Sequence, residues 1–386
     1  MSKGSLIVAL QILTILLCLA TMIQAFTRKS KIIVQPLRLE TTNSFPGIFL
    51  CRKSTQLRCS SSDNNKGTSN AAVEKTSSTM AGWTVREAIN ESIRRLVDKN
   101  IIEPDYSAMH LMAASLELPW ERGIRDLEIN STGGESLQST KLTSNQASEF
   151  EAMLQRRENH EPIQYILGQW DFLDYTVSIR KPLLCPRPET EELVMKVVAE
   201  TTKSPVRILD IGCGTGVIGL SLAELLPNAT VEAIDVEPVA IDTSLENARR
   251  VLKGQAGSSD KISDRYRATL VSANDYITDQ PFDLIVSNPP YIPRCDIEGL
   301  TKDVIRYESD DALCGGTDGM DVIRTIVQRI PEWCNAGAVC WMEVDPSHPK
   351  LIEELLASKG INSRVQFESS HKDMFGNDRF VKLKVV

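Results

Sequence analysis

Histidine and paired cysteine are both scarce in this chain. The four histidines, His110, His160, His348 and His371, lie far apart. The nine cysteines include no Cys-x-x-Cys pair and keep no regular spacing. Zinc centres and disulfide frameworks need clustered ligands or repeated spacings, so neither is expected. The cysteines read as mostly free thiols of a reducing compartment. An excess of positive charge is missing too. Forty-three Lys and Arg stand against 51 Asp and Glu, a formal net charge of −8. Binding nucleic acid through its phosphates needs a basic face, so direct nucleic-acid binding is not expected beyond a local patch. What remains is ordinary globular composition, 42% hydrophobic and 24% charged over 386 residues, with room for two domains.

Residues 1–80 read as a targeting presequence and linker. Lys3 precedes a nearly all-apolar run, Leu6 to Ile23, which ends in Gln24-Ala25-Phe26. A charged start, a long apolar stretch and a small residue at a cleavage point make a signal peptide. A membrane anchor is the alternative, because the run approaches spanning length. Thr27 to Ser62 then carries Arg28, Lys29, Lys31, Arg38, Arg52, Lys53 and Arg58 against the single acid Glu40. With its Ser and Thr, that is transit-peptide composition. The tandem resembles the bipartite presequence of algae with complex plastids, and Ala25-Phe26 resembles its cleavage motif. The resemblance implies a plastid, with a mitochondrion as the alternative and no membrane association of the mature chain. Ser60 to about Met80 is polar linker.

Residues 81–160 carry helical spacing. Val85, Ala88, Ile89, Ile93 and Leu96 recur at three and four and form one apolar stripe. Met109 to Leu116 predicts a second helix, and Phe150, Met153 and Leu154 a last one, with Asn130 to Asn145 as a loop. Over 161–185 the pattern changes. Tyr165, Ile166, Leu167, Trp170, Phe172, Tyr175, Val177 and Ile179 predict short strands, a hairpin joining two domains. From 186 to 386, strands alternate with helices. That argues an α/β architecture with a mostly parallel, doubly wound sheet, whose ligands sit beyond the C-terminal ends of the strands.

The first strand, Val206–Ile211, runs into Asp210-Ile211-Gly212-Cys213-Gly214-Thr215-Gly216. Three glycines allow a tight turn and close approach of backbone to a ligand. The next strand ends in Asp235, where a carboxylate can accept both hydroxyls of a ribose. The Gly-x-Gly-x-Gly spacing lacks the two-residue gap of the dinucleotide fingerprint. It resembles the class I S-adenosylmethionine (SAM) methyltransferase pattern, a Rossmann-like fold that binds a nucleoside with no pyrophosphate to cradle.

Phe282–Ser287 is the fourth strand in that order, and its tip neighbours the first. It stops on Asn288-Pro289-Pro290-Tyr291. Proline donates no backbone hydrogen bond, so the ladder ends there. The residue types suit a planar NH2 acceptor, whose lone pair is delocalised and weakly nucleophilic. The Asn288 side-chain oxygen and the Pro289 carbonyl can hold its two hydrogens and aim the nitrogen at a methyl donor. Pro289 and Pro290 fix the carbonyl direction, and Tyr291 offers a flat face. Two acceptor classes fit this motif: exocyclic amines of bases, as in an N6-adenine DNA methyltransferase, and the side-chain amide of glutamine.

Several longer runs choose between them. Pro162 to Phe172, Pro186-Arg187-Pro188-Glu189-Thr190-Glu191, Ile208 to Gly216, Val286 to Ile292, and Arg306-Tyr307-Glu308 with Gly315 to Met320 closely resemble the release factor glutamine methyltransferase (HemK/PrmC) family. The resemblance covers about Glu161 to the C-terminus. It implies transfer of a methyl from SAM to N5 of the glutamine in the Gly-Gly-Gln motif of a class I peptide-chain release factor, here an organellar one, by a monomer. Methylation of another protein's glutamine stays open as an alternative. Carried over by position, Asp210, Gly212, Cys213, Gly214, Thr215, Gly216, Asp235, Asn274, Asp275 and Asn288 would hold SAM. Asn288, Pro289, Pro290 and Tyr291 would form the glutamine pocket, walled by Phe172, Arg187 and Glu189. An ion pair at the helix start is the equally weighted reading of Arg187 and Glu189. Cys185 stands where the family has an aliphatic residue, and a buried cysteine is tolerable there as a small hydrophobe. The helical segment would be the release-factor docking surface.

Overall fold

The computed structural model describes residues 80–120, 123–128, 137–204, 206–252, 262–358 and 364–386. Of the expected presequence and linker, 1–80, residues 1–79 lie outside the described residues, whereas Met80 is corrected to the folded part, buried in the core of the helical segment. Among the described residues, no helix is long and apolar enough to cross a membrane.

The first described segment is helical. Thr84 and Glu87 cap α1 (Val85–Asp98) reciprocally. The Thr84 hydroxyl accepts from the Glu87 amide at 3.2 Å, and the Glu87 carboxylate accepts from the Thr84 amide at 2.8 Å. The predicted stripe is the buried face, with Val85, Ala88, Ile89 and Leu96 inside and Ile93 at its margin. Helices α2 (Pro104–Ser115), α3 (Gly123–Glu128) and α4 (Ser144–Glu158) contribute to the same core. Arg95 of α1 clamps α4 through bidentate bonds of 2.8 to 2.9 Å to Glu151 and Glu158.

Two local expectations are corrected. The stretch read as a loop to Asn145 contains a 3-10 turn, Leu137–Ser139, and the start of α4, because Thr143 caps that helix through Gln146. Tyr165–Leu167, read as strand, belongs to helix α5 (Ile163–Leu167). Pro162 opens it, and Gly168, at φ +70°, ends it in the left-handed region. Three apolar residues in a row carry no period, so only the flanking proline and glycine mark the turn. The predicted hairpin follows: β1 (Gln169–Phe172) pairs antiparallel with β2 (Tyr175–Ser178).

The remaining chain builds one seven-stranded sheet from β3 (Arg207–Ile211), β4 (Thr230–Asp235), β5 (Tyr266–Leu270), β6 (Phe282–Ser287), β7 (Cys334–Glu343), β8 (Val365–Lys372) and β9 (Asp378–Val385). Their order is β5-β4-β3-β6-β7-β9-β8. The first five are parallel, and β9 runs antiparallel to both its neighbours. Alternation divides the strands between two cores. Ile208, Leu284 and Val286 face α6 (Pro188–Glu200), α7 (Val217–Leu225) and α8 (Pro238–Val251). Leu209, Ile211 and Ile285 face α12 (Asp321–Trp333) and α13 (His348–Ala357). Shorter helices, α9 (Ile262–Arg265), α10 (Lys302–Tyr307) and α11 (Asp310–Leu313), lie in connections. Both faces being covered explains why β3 and β6 read as nearly unbroken apolar runs. Chain order reverses between β3 and β6, and a crevice at their C-terminal tips is the usual consequence.

Candidate active site

At the tip of β3 the backbone folds back on itself. The Gly212 and Cys213 amides both donate to the Ile234 carbonyl, at 2.9 and 3.1 Å, and the Gly216 amide donates to the Cys213 carbonyl at 2.7 Å. Gly212 and Gly214 take φ of +70° and +53°, and a Cβ on either would meet no protein atom within 4 Å. Their open side faces a cavity of about 260 Å³. Gly216 serves packing instead: a Cβ there would lie 2.8 Å from that of Ser244.

Asp235 faces the same cavity from the tip of β4. Its two carboxylate oxygens accept from the Gly214 and Glu237 amides, each at 2.9 Å. Each oxygen keeps a further lone pair for a ligand hydroxyl. Burial raises its pKa, so a donor arriving from a ligand would favour the ionised form. Glycine backbone open on one side and a carboxylate with spare acceptors fit the nucleoside end of SAM. Asn274 lines the cavity beside Ser272 and Ala273, whereas Asp275 stands behind them, accepting from the Ser272 hydroxyl at 2.7 Å.

Asp210, Cys213 and Thr215 are buried away from the cavity lining. Asp210 accepts from the Gly219 amide at 2.9 Å and so fixes the first turn of α7. Burial pushes its pKa up to about 7. Gly219 is required there, since a Cβ would come within 2.7 Å of that carboxylate. The Thr215 carbonyl accepts from Asn247 at 2.9 Å.

Across the cavity, the Ser287 hydroxyl donates to the Ile211 carbonyl at 2.8 Å and locks the tip of β6 to that of β3. Asn288 and Pro290 then line the cavity opposite the glycines. The prolines do not leave the backbone unpaired beyond them. The Ile292 amide donates to Leu313 at 2.9 Å, and the Gly315 amide donates back to Ile292 at 2.9 Å. This second segment presses close: a Cβ on Gly315 would meet the Pro290 carbonyl at 2.6 Å, and one on Gly319 the Tyr291 carbonyl at 2.3 Å. Pro289 is buried, and Tyr291 packs against the core with its hydroxyl 3.4 Å from Arg379. Neither lines the cavity.

The expected wall is rearranged. Phe172 is buried in the core that packs under the hairpin. Arg187 pairs with Glu308 at 2.8 Å and not with Glu189. Glu308 is nearly inaccessible, and the segment that follows it brings Ser309, Asp311 and Ala312 to the cavity. Pro182 to Leu184 close another side. Cys185 is fully buried, and burial raises its thiol pKa. Residues without an assigned role stand behind Asn288. Its side-chain nitrogen donates to the Thr190 hydroxyl at 3.3 Å, and that hydroxyl donates to Glu343 at 2.8 Å. Thr190 and Glu308 sit inside runs that carry the family resemblance. Glu343 gives no signal beyond being an acid at the end of an apolar strand.

Comparison with known proteins fits this construction. Residues 190–313 match the methyltransferase small domain model, and residues 87–168 match the PrmC N-terminal domain model. The human MTRF1L release factor glutamine methyltransferase is 35% identical over 263 residues, covering 64% of this chain and 75% of the relative. The chain belongs to the release factor glutamine methyltransferase family. A release factor glutamine methyltransferase of Lactococcus lactis is 33% identical over 280 residues, 72% of this chain and 98% of that one. The two models together span the helical segment and the sheet from β3 to β6.

Proposed function

We propose that the protein transfers the methyl group of SAM to the side-chain amide nitrogen, N5, of the glutamine in the Gly-Gly-Gln motif of a class I peptide-chain release factor. The observation that carries this reading is one cavity joining Gly212, Gly214 and Asp235 to Asn288 and Pro290. SAM brings an electrophilic methyl on a sulfonium sulfur. Gly212 and Gly214 approach it by backbone, Asp235 accepts from its ribose hydroxyls, and Asn274 lies by its base. The Asn288 side-chain oxygen and the Pro289 carbonyl accept the two N–H bonds of the glutamine amide. That holds the nitrogen in line with the methyl and favours the positive charge that develops on it. Pro290 borders the slot, Tyr291 braces it from the core, and Arg187 holds Glu308 beside the segment that closes it. Asp210, Cys213, Thr215, Gly216, Asp275 and Phe172 support it from behind.

The same reading gives the helical segment to docking of the release factor and takes the working form as a monomer. The apolar run Leu6–Ile23 followed by the basic, Ser/Thr-rich stretch to Ser62 supports plastid import. Fluorescent fusions of residues 1–80 test this part alone: mitochondrial or secretory fluorescence overturns the plastid without touching the chemistry. The chemistry is tested by incubating the protein with SAM and a folded class I release factor. Mass spectrometry should find one methyl on the Gly-Gly-Gln glutamine, absent with Asn288→Ala. An unmodified glutamine in a folded release factor overturns the substrate.

A further inference from the structure

The hydrogen bonds behind Asn288 have a direction. Glu343 is 2% exposed, at the end of β7, and an ionised carboxylate only accepts. Thr190, 4% exposed on the first turn of α6, gives its one hydroxyl hydrogen to Glu343 at 2.8 Å. Its oxygen then has only lone pairs left for Asn288, so the amide must present its NH2, at 3.3 Å. A turned amide would set carbonyl against lone pairs in a dry site, where an unmade bond is costly. With the NH2 directed inward, the Asn288 oxygen is left for the cavity.

We infer that Thr190 and Glu343 are positioning residues that fix the flip of the Asn288 amide, so that the side chain meets the substrate as an acceptor and not as a donor. This rests on the role proposed for Asn288. Without the relay, the NH2 of Asn288 could face the NH2 of the glutamine, donor against donor. The relay thus makes the site selective for an acceptor group bearing two N–H bonds. Three elements supply it, since Thr190, Asn288 and Glu343 come from α6, the tip of β6 and β7. Arg379 acts on the carboxylate from β9 and favours its ionised form.

The test separates hydrogen bonding from shape. Thr190→Val keeps the shape and removes the hydroxyl, whereas Thr190→Ser keeps the hydroxyl and removes the methyl. Glu343→Gln keeps the shape and adds a donor. The full chain of each variant is assayed with SAM and a recombinant class I release factor carrying Gly-Gly-Gln, separating kcat from KM. SAM affinity is measured by calorimetry. Thr190→Val and Glu343→Gln should each lose roughly 10- to 100-fold in kcat, with SAM affinity within about threefold of wild type. Thr190→Ser should retain at least about a third of the wild-type kcat. The reverse order, with Val active and Ser impaired, overturns the relay in favour of packing. Wild-type kcat in Glu343→Gln overturns it as well, whatever Thr190→Val does to folding. An Asn288→Ala protein that still methylates glutamine defeats the proposed role of Asn288 itself, which is a separate result.

Discussion

The two sides of the cavity are built by opposite means. The cofactor side is mostly backbone: glycines at positive φ, and amides of Gly214 and Glu237 held by Asp235. The acceptor side is a set of side chains, Asn288, Thr190 and Glu343, drawn from positions far apart in sequence. Backbone geometry is written locally by glycine. A directed chain of side-chain hydrogen bonds exists only after α6, β6 and β7 have packed. Damage to one side should therefore appear in cofactor affinity, and damage to the other in turnover.

The sharpest form of this contrast is Asn288→Ala. Loss of one positioned acceptor should lower kcat by about 10²- to 10³-fold, with SAM binding changed only a few-fold, read by calorimetry beside a rate assay. Equal losses in both quantities would erase the division. Gly319→Ala comes next, because it strains the left-handed backbone and drives a Cβ against the Tyr291 carbonyl. It should cost about 2–4 kcal/mol in denaturant unfolding, while Gly299→Ala, with no neighbour within 4 Å, stays within about 0.5 kcal/mol. A tolerated Gly319→Ala would show that the second segment does not brace the acceptor side. Asp235→Asn should weaken SAM by about 10-fold and leave kcat at saturating SAM nearly unchanged, since the bonds it alters, to the cofactor and to the Gly214 and Glu237 amides, all lie on the cofactor side. A kcat defect at saturation would mean that the two sides are coupled.

The smallest expected effect is on pH. Burial pushes the Glu343 carboxyl up from 4.5 to about 6, against the pull of Thr190, Arg379 and Asn288 and with Glu189 adding to the rise. Protonation frees Glu343 to donate to Thr190 and loosens the relay, so kcat should fall as pH drops through about 6. The contribution to stability has the other sign. A pKa raised by folding stabilises fully below about 4.5 and loses that effect as pH rises through about 6. In Glu343→Gln this limb of the kcat–pH profile should vanish. A profile identical to wild type would place the titration elsewhere.

Much of the sheet was legible because its signals are local. Phe282–Ser287 falls on the predicted residues, β4 ends at Asp235 as expected, and the glycine turn and Asp235 stand at the strand tips where the pattern put them. Reading failed where a short apolar run had no period, as at Tyr165–Leu167. It also failed where an acid's partner lay far along the chain, as with Arg187 and Glu308, 121 positions apart. Phe172 shows a third kind of loss: alternation says that an aromatic is inside, but not which core receives it.

By itself the sequence determined the alternating sheet, the glycine turn, the acid that ends β4 and the Asn-Pro-Pro-Tyr break. Each depends on residue type within a few positions, through φ preference, missing amide hydrogens and alternating burial. Only the tertiary structure decided that Asp210 braces α7 behind the cavity, that Glu308 holds Arg187, and that Glu343 stands behind Asn288. Those are pairings of buried charge and hydrogen bonds across elements. Their partners are selected by which strand tips and helix starts meet, and no local pattern of residues encodes that meeting.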